Sequence, residues 1–132
     1  MSQQNVATAK RIYEARNRGD VDAVIAECDS EVEWRRHLAD LSGKPLRGRG
    51  EVRSYLDSLQ EDWESFQHET ERFMDAGDKV VVLTHARARG RESGVEVDVP
   101  VAHVLSFDAG KCTGFVSYYD RAEALRSAGL EE

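Results

Sequence analysis

The sequence lacks a long apolar run, and its first residues, MSQQNVATAKR, contain no apolar leader. Because a membrane-spanning helix needs about 20 consecutive apolar residues, we expect no membrane span, no signal peptide and a cytoplasmic location. Positive charge is also scarce, since 18 lysines and arginines against 25 aspartates and glutamates give a net charge of -7. Nucleic acids and anionic membranes bind concentrated positive charge, so neither is an expected partner.

Cysteines are few and histidines are scattered. Cys28 and Cys112 lack the CxxC spacing of metal and redox sites, so we expect two small, buried hydrophobic groups. The chain contains four histidines: His37, His68, His85 and His103. They have no metal-site spacing, and residues 47–50 (RGRG) lack the Lys-Ser/Thr of a phosphate-binding loop. We therefore expect no metal ion and no cofactor.

The chain of 132 residues, of which 40% are hydrophobic, fits a single domain that spans residues 1–132. Apolar residues recur every three or four positions in three segments. These segments predict helices at Gln3–Arg18, Val21–Cys28 and Val52–Trp63. A D-x-x-E capping box at Asp120 predicts a fourth helix, which ends near Gly129.

Residues that alternate between polar and apolar predict strands. A short strand is expected at Asp29–Arg35 and a weaker one at Phe66–Met74, while the glycine-rich segment Arg36–Gly50 is expected to be a loop. The stretch Asp78–Asp120 predicts three long antiparallel strands, the first of them at Lys79–Gly90. The sheet is therefore built mainly from the C-terminal half of the chain.

The turn after the first long strand sets the register. A two-residue loop at residues 93–94 would place Arg91 opposite Glu96 and Arg89 opposite Asp98. One face then carries small and apolar side chains that leave room for a ligand. Its residues are Val80, Val82, Thr84, Ala86, Ala88, Val97, Val99, Val101, His103, Leu105, Phe107, Cys112, Gly114, Val116 and Tyr118.

The opposite face of the sheet is half apolar. Its residues include Leu83, His85, Arg87, Ala102, Val104, Phe115 and Tyr119. No helix is left in the chain to cover this face, and an uncovered sheet of that kind is typical of an association surface. We therefore expect a homodimer through this face.

Local motifs along the chain support a family resemblance. They are Arg18-Gly19-Asp20, Val32-Glu33-Trp34, Gly48-Arg49-Gly50-Glu51-Val52, Ala76-Gly77-Asp78-Lys79-Val80, Ser93-Gly94-Val95 and Phe107-Asp108-Ala109-Gly110-Lys111. With the order of the elements, they resemble the NTF2-like superfamily, in particular its SnoaL-like, ketosteroid-isomerase-related branch. The resemblance implies an α+β cone, in which a curved antiparallel or mixed sheet and three to four helices enclose a pocket. It also implies that the convex side packs on a second subunit.

The same resemblance points away from steroid isomerisation. In that branch a strand aspartate is the base, while a helical tyrosine and a strand acid stabilise the dienolate oxygen. Here those positions fall at Trp34, at Ile12 beside Tyr13, and at His103. None of the three groups is retained, so His103 is the expected general acid or base in the pocket.

Several residues are candidates for the pocket. Tyr118 is expected to polarise a carbonyl, although both Tyr118 and His103 could instead be core residues. The predicted ligand-binding wall consists of Tyr13, Trp34, Tyr55, Trp63, Val101 and Val116. His37 is expected at the pocket rim, and His68 and His85 at exposed or interfacial positions.

Two functions stay open on these observations. One is an isomerase, cyclase or hydrolase of a small apolar metabolite. The other is a non-catalytic, dimeric domain that binds such a molecule. A second polar group within hydrogen-bond reach of His103, at an enclosed cavity, would favour the enzyme.

Overall fold

The computed structural model of the protein describes residues 2–35 and 44–130. This part of the chain forms four helices and six strands, so the predicted α+β class is confirmed. The helices are α1 (Ser2–Asn17), α2 (Val21–Ala26), α3 (Gly48–Asp62) and α4 (Arg121–Ser127). The strands are β1 (Cys28–Arg35), β2 (Leu46–Arg47), β3 (Trp63–Ala76), β4 (Lys79–Gly90), β5 (Glu96–Asp108) and β6 (Lys111–Tyr118). No helix within these residues is long and apolar enough to cross a membrane.

The six strands form one mixed sheet in the order β2-β1-β6-β5-β4-β3. β1 and β6 are parallel neighbours, and the other neighbouring pairs are antiparallel. The parallel contact places Cys28 opposite Cys112. Both thiols are free and buried, as the sequence predicts.

Side-chain caps begin two of the helices. The Asp20 carboxylate accepts a hydrogen bond from the Ala23 amide at the start of α2. Asp120 accepts hydrogen bonds from the amides of Ala122 and Glu123 at the start of α4. These bonds satisfy amides that have no partner within the helix, which confirms the predicted start of the fourth helix.

Two residues predicted at helix ends begin strands instead. Trp63 has extended backbone angles, φ -116° and ψ 133°, and it pairs with Gly90 of β4. Cys28 pairs with Cys112 across the parallel contact. At both positions, backbone pairing with a neighbouring strand outweighs the apolar spacing that predicts a longer helix.

The predicted loop before the third helix is wrong at its C-terminal end. Leu46–Arg47 forms the short strand β2, which pairs with β1, and α3 begins directly afterwards at Gly48. The φ of 82° at Gly48 lies in the left-handed region that glycine adopts without strain. Residues 36–43 lie outside the described residues, and so does the position predicted for His37.

The predicted register between β4 and β5 is wrong by two residues. Arg89 lies opposite Glu96, and Arg87 lies opposite Asp98. The Gly90 amide donates to the Val95 carbonyl at 2.8 Å, so the connecting loop has four residues rather than two. Because side chains alternate with a period of two, a shift of two residues leaves the predicted faces of β4 and β5 unchanged.

A bulge in β6 reverses the predicted faces of its second half. Phe107 lies opposite Cys112, whereas Ser106 lies opposite Gly114, so Thr113 is the extra residue. The faces predicted for Gly114, Val116, Tyr118 and Phe115 are therefore wrong. His103 lies opposite Ser117, and Tyr118 lies opposite Ala102 on the other side of the sheet. A single inserted residue has this effect because it changes the alternation for every residue that follows.

We call the side of the sheet that carries His103 the inner face, and α1, α2 and α3 pack against it. The main hydrophobic core forms there. Its members include Ala9, Ile12, Tyr13, Val24, Val32, Trp34, Val52, Leu56, Val80, Val82, Leu105, Phe107 and Phe115. The three helices thus pack over the inner face of the sheet.

The opposite side, the outer face, is partly covered by α4. Ala124 and Leu125 of this helix are buried against Val81, Ala102 and Val104. The expectation that no helix remains for this face is therefore wrong, because the chain turns back across the sheet after β6. The homodimer is predicted from an uncovered outer face, and α4 covers part of that face. The homodimer therefore stays a prediction.

Candidate functional site

A cavity of about 470 Å³ lies between the α1–α2 turn, the second half of α3 and the first residues of β3. This volume is in the range of small-molecule sites. The apolar part of its wall consists of Val21, Val24, Leu56, Leu59, Trp63 and Phe66. Arg16 and His68 bring polar groups to the same space. Ten of the seventeen lining residues are polar or charged, so the wall combines one apolar patch with a larger number of polar groups.

His68 on β3 is the buried polar residue of this cavity. Its exposed fraction is 5%, and neither ring nitrogen has a hydrogen-bond partner among the described residues. The side chain of Asn17 holds the His68 backbone, because Asn17 Nδ2 donates to the carbonyl and Oδ1 accepts from the amide, both at 2.8 Å. The backbone of His68 is thus fixed while its imidazole keeps both nitrogens unpaired.

His68 is neutral at physiological pH. Burial holds the pKa of its imidazole well below the ordinary value of 6.5, and the charge of Arg16 lowers this pKa further. Both effects disfavour the imidazolium form. One ring nitrogen is consequently a proton acceptor and the other a donor.

Tyr13 and His103 form a buried pair beside His68. The Tyr13 hydroxyl and His103 Nδ1 are 2.5 Å apart. Burial raises the pKa of the Tyr13 hydroxyl and lowers that of the His103 imidazole well below 6.5, so the hydroxyl donates to a neutral ring. The centroids of the His103 and His68 rings are 5.1 Å apart, in an edge contact. His103 itself is not among the described residues that line the cavity.

Arg16 on α1 places a positive charge beside this group. Its guanidinium lies 5.3 Å from the ring centre of Trp34 and 5.7 Å from that of Phe115. Cation–π contacts of this kind position the guanidinium without neutralising it. Its charge contributes to the lowered pKa values of both His68 and His103.

The residues predicted for the pocket are only partly brought together. Trp63 lines the cavity, while Tyr13, Trp34 and Val101 are buried in the core. Tyr55 borders a separate surface groove. The structure therefore joins Tyr13 with His103, while Tyr55 contacts the edge of the Trp34 ring, with 6.4 Å between the ring centroids.

The other two predicted pocket residues lie on the outer face. Tyr118 packs in the cluster that α4 covers. Val116 lies opposite Val104, which belongs to the same cluster. The bulge at Thr113 places both of them on the far side of the sheet from His103, so a direct contact of Tyr118 with a ligand in this cavity is excluded.

Sequence reasoning missed His68 as a residue of the cavity wall. The expectation that His68 is exposed or interfacial is wrong, whereas His85 does lie on the outer face with a partly exposed side chain. A signal was present, because Phe66, His68 and Thr70 alternate with the polar residues Gln67 and Glu69. Read as a half-buried strand, this alternation places His68 on the same side as Phe66.

Metal chemistry has no visible basis in the described part of the chain. Among residues 2–35 and 44–130, no group of three or more His, Cys, Asp and Glu side chains could hold a metal ion. His68 and His103 do lie close together, but aromatic rings surround them instead of carboxylates.

Comparison with known proteins identifies the family. The family model described as the SnoaL-like domain matches residues 9–115, which include the residues that line the cavity. The chain belongs to the SnoaL-like family. Comparison of this SnoaL-like domain with curated proteins gives no match.

Solved structures agree with this assignment. An NTF2-like protein from Burkholderia pseudomallei K96243 is 25% identical, with a TM-score of 0.79 over 93% of this chain and 95% of that chain. An NTF2-like protein from Burkholderia thailandensis E264 is 27% identical, with a TM-score of 0.78 over 96% and 95%. A protein with a ketosteroid isomerase-like fold from Catenulispora acidiphila DSM 44928 is 17% identical, with a TM-score of 0.76 over 93% and 92%. The predicted NTF2-like fold and SnoaL-like branch are confirmed.

Proposed function

We propose that this SnoaL-like domain is an enzyme that binds a small, mostly apolar metabolite in the cavity and moves a proton on it. Isomerases, cyclases and some hydrolases carry out such a step. His68 is the proposed general base, because its unpaired imidazole borders the space that a substrate would fill.

The observation that carries the proposal is the unpaired, buried ring of His68. A buried polar atom without a partner costs on the order of 1–3 kcal/mol. A ligand that forms a hydrogen bond with His68 removes this cost when it binds. The cavity wall supplies the apolar surface for the rest of such a ligand.

The electrostatic surroundings limit the kind of substrate. A low pKa makes His68 a weak base, so it requires a C–H bond that is already acidified, such as one beside a conjugated carbonyl. Once protonated, the imidazolium is disfavoured by its burial and by the charge of Arg16. The proton is therefore returned readily, which suits a reaction that moves a proton from one carbon to another.

In this proposal the role predicted for His103 passes to His68. His103 and Tyr13 become positioning residues, because their mutual hydrogen bond fixes a ring against which the His68 ring packs. Tyr118 has no role in this chemistry. Its place on the outer face keeps it away from the cavity.

A non-catalytic domain that binds a small molecule is the second candidate. The observation that favours it is again the state of His68, since no described group forms a hydrogen bond with the ring to fix its tautomer. General bases commonly have such an orienting partner. Binding alone does not need one.

The two candidates can be separated with 2-tetralone, a small aromatic ketone with an acidified C–H beside its carbonyl. The protein is incubated with the ketone in deuterated buffer, and NMR follows both binding and loss of the α-proton signal. We expect the wild-type protein to accelerate the exchange. The His68→Gln variant should lose this acceleration by about 100-fold or more, the usual contribution of a general base.

His85→Gln is the matched control, because it removes a histidine from the outer face and should leave the exchange rate unchanged. Exchange at the wild-type rate in His68→Gln would refute the role of His68. Binding of 2-tetralone without exchange in the wild-type protein would favour the binding domain over the enzyme.

A further inference from the structure

The charged residues around the cavity indicate which chemical group a ligand carries. Among the described residues, five charged side chains line this space: Arg16, Arg18, Asp20, Glu64 and Arg91. Three are positive and two are negative, so the wall has an excess of one positive charge. This excess is local, because the chain as a whole has a net charge of -7.

Four of these five charges are already engaged within the protein. Arg18 Nη2 lies 3.4 Å from the carboxylate of Asp20. Glu64 lies 3.6 Å from Arg89. Arg91 donates to three backbone carbonyls at the junction of α3 and β3. None of these groups needs a ligand to complete its interactions.

Arg16 is the exception. Within residues 2–35 and 44–130 it forms no ion pair and no side-chain hydrogen bond, and its guanidinium rests on the rings of Trp34 and Phe115. It borders the same cavity as His68, whose ring is nine-tenths buried and has no partner for either nitrogen. A cation and an unpaired imidazole thus border the same cavity.

We infer that the ligand carries an anionic oxygen, as in a carboxylate or an enolate, on an aromatic or other apolar body, and that Arg16 binds that oxygen. The inference names the ligand class for the proposed small-molecule site and rests on that site. It does not require that the protein be a catalyst.

The guanidinium is well suited to this task. Its planar array of N–H donors matches an anionic oxygen or a carboxylate, and such charge-assisted bonds are about twice as strong as neutral ones. The apolar body of the ligand would lie against Val24, Leu56 and Trp63. The overall charge of -7 opposes the approach of an anion, but salt screens that repulsion beyond about 8 Å at physiological ionic strength.

The test uses two probes with the same aromatic body, 2-naphthoate and its neutral counterpart 2-naphthamide, in isothermal titration calorimetry at pH 7.5. The wild-type protein should bind 2-naphthoate more tightly by on the order of tenfold. Arg16→Gln should remove this preference and leave the affinity for 2-naphthamide unchanged. Arg16→Lys should keep part of the preference, since it retains the charge without the planar fork.

Arg11→Gln is the matched control, because it removes an arginine of the same helix that is paired with Glu27 and does not line the cavity, and it should retain the full preference. Thermal unfolding midpoints establish that each variant is folded. Equal binding of the two probes by the wild-type protein would overturn the inference and leave the proposed site standing. A full preference for 2-naphthoate in folded Arg16→Gln would overturn it as well. If the wild-type protein binds neither probe, the proposed site fails together with the inference.

Discussion

The two buried histidines should make the stability of the fold fall as the pH drops below neutrality. The pKa values of His68 and His103 are held well below 6.5, mainly by burial. In the unfolded chain both imidazoles titrate near 6.5. At pH values between the lowered pKa of the folded state and the pKa of about 6.5 of the unfolded state, the unfolded chain binds protons that the folded protein does not. Acid therefore favours unfolding. The stability contribution is present above pH 6.5 and is lost as the pH falls towards the folded pKa.

The size of the effect follows from proton linkage. A group that is protonated only in the unfolded state lowers the free energy of unfolding by up to about 1.36 kcal/mol per pH unit. From pH 7.0 to pH 5.5, a group with an unfolded pKa near 6.5 contributes about 1.2 kcal/mol. His68 and His103 together should therefore lower the free energy of unfolding by at most about 2.5 kcal/mol. This is a large fraction of the stability of a small domain.

Urea unfolding followed by circular dichroism at pH 7.0 and 5.5 measures this difference. His68→Gln and His103→Gln should each remove about half of the pH dependence, whatever they do to the stability at pH 7.0. The matched control is His85→Gln, which removes a partly exposed histidine from the outer face. A pH dependence that is unchanged in both His68→Gln and His103→Gln would refute the neutral, buried state of the two rings.

Three further predictions follow from the fold. Tyr13→Phe leaves His103 Nδ1 buried without its donor, so it should lower the free energy of unfolding by about 1–3 kcal/mol, measured in urea at pH 7.5. No measurable loss would contradict the hydrogen bond between Tyr13 and His103. Asp120→Ala removes the cap of α4, so it should lower the free energy of unfolding by about 1 kcal/mol and speed hydrogen exchange at the amides of Ala122 and Glu123. Unchanged exchange at these amides would contradict the cap. Light scattering at micromolar concentration should give the mass of a homodimer, and a monomer would reject association through the outer face.

The sheet shows where sequence patterns suffice. β4 runs from Lys79 to Gly90 as predicted, because a strand with one buried face repeats its apolar side chains at every second residue. The face of His103 was correct even though the register was not, since the error of two residues preserves the alternation.

β6 shows where such patterns fail. Thr113 forms the bulge, and the signal for it in the sequence KCTGFVSY is Gly114, since an isolated glycine within a strand often marks a bulge. The bulge arises where β6 pairs with β5 next to the turn that joins them, and polar–apolar alternation does not show such an inserted residue. The prediction that Tyr118 shares the inner face with His103 is wrong for this reason, and the residue that forms a hydrogen bond with His103 is Tyr13 on α1.

The position of the cavity depends on tertiary contacts for the same reason. Periodicity predicts Tyr13 on the buried side of α1, which is confirmed. It predicts Trp63 on the buried side of the third helix, whereas Trp63 begins β3 and lines the cavity. Periodicity does not tell which of these side chains meet across the core. The helix α3 ends at Asp62 and β3 begins at Trp63, five residues before His68. This start of β3 brings His68 to the border of the cavity.

The central claim is that a small molecule in the cavity contacts the imidazole of His68. The most direct measurement is NMR of protein labelled with ¹⁵N-histidine, titrated with 2-naphthol, a stable analogue of the enol of 2-tetralone. We predict that the His68 ring nitrogens shift strongly on binding, that those of His103 shift less, and that those of His85 stay in place. Binding of 2-naphthol that leaves the His68 ring nitrogens unchanged would contradict the claim.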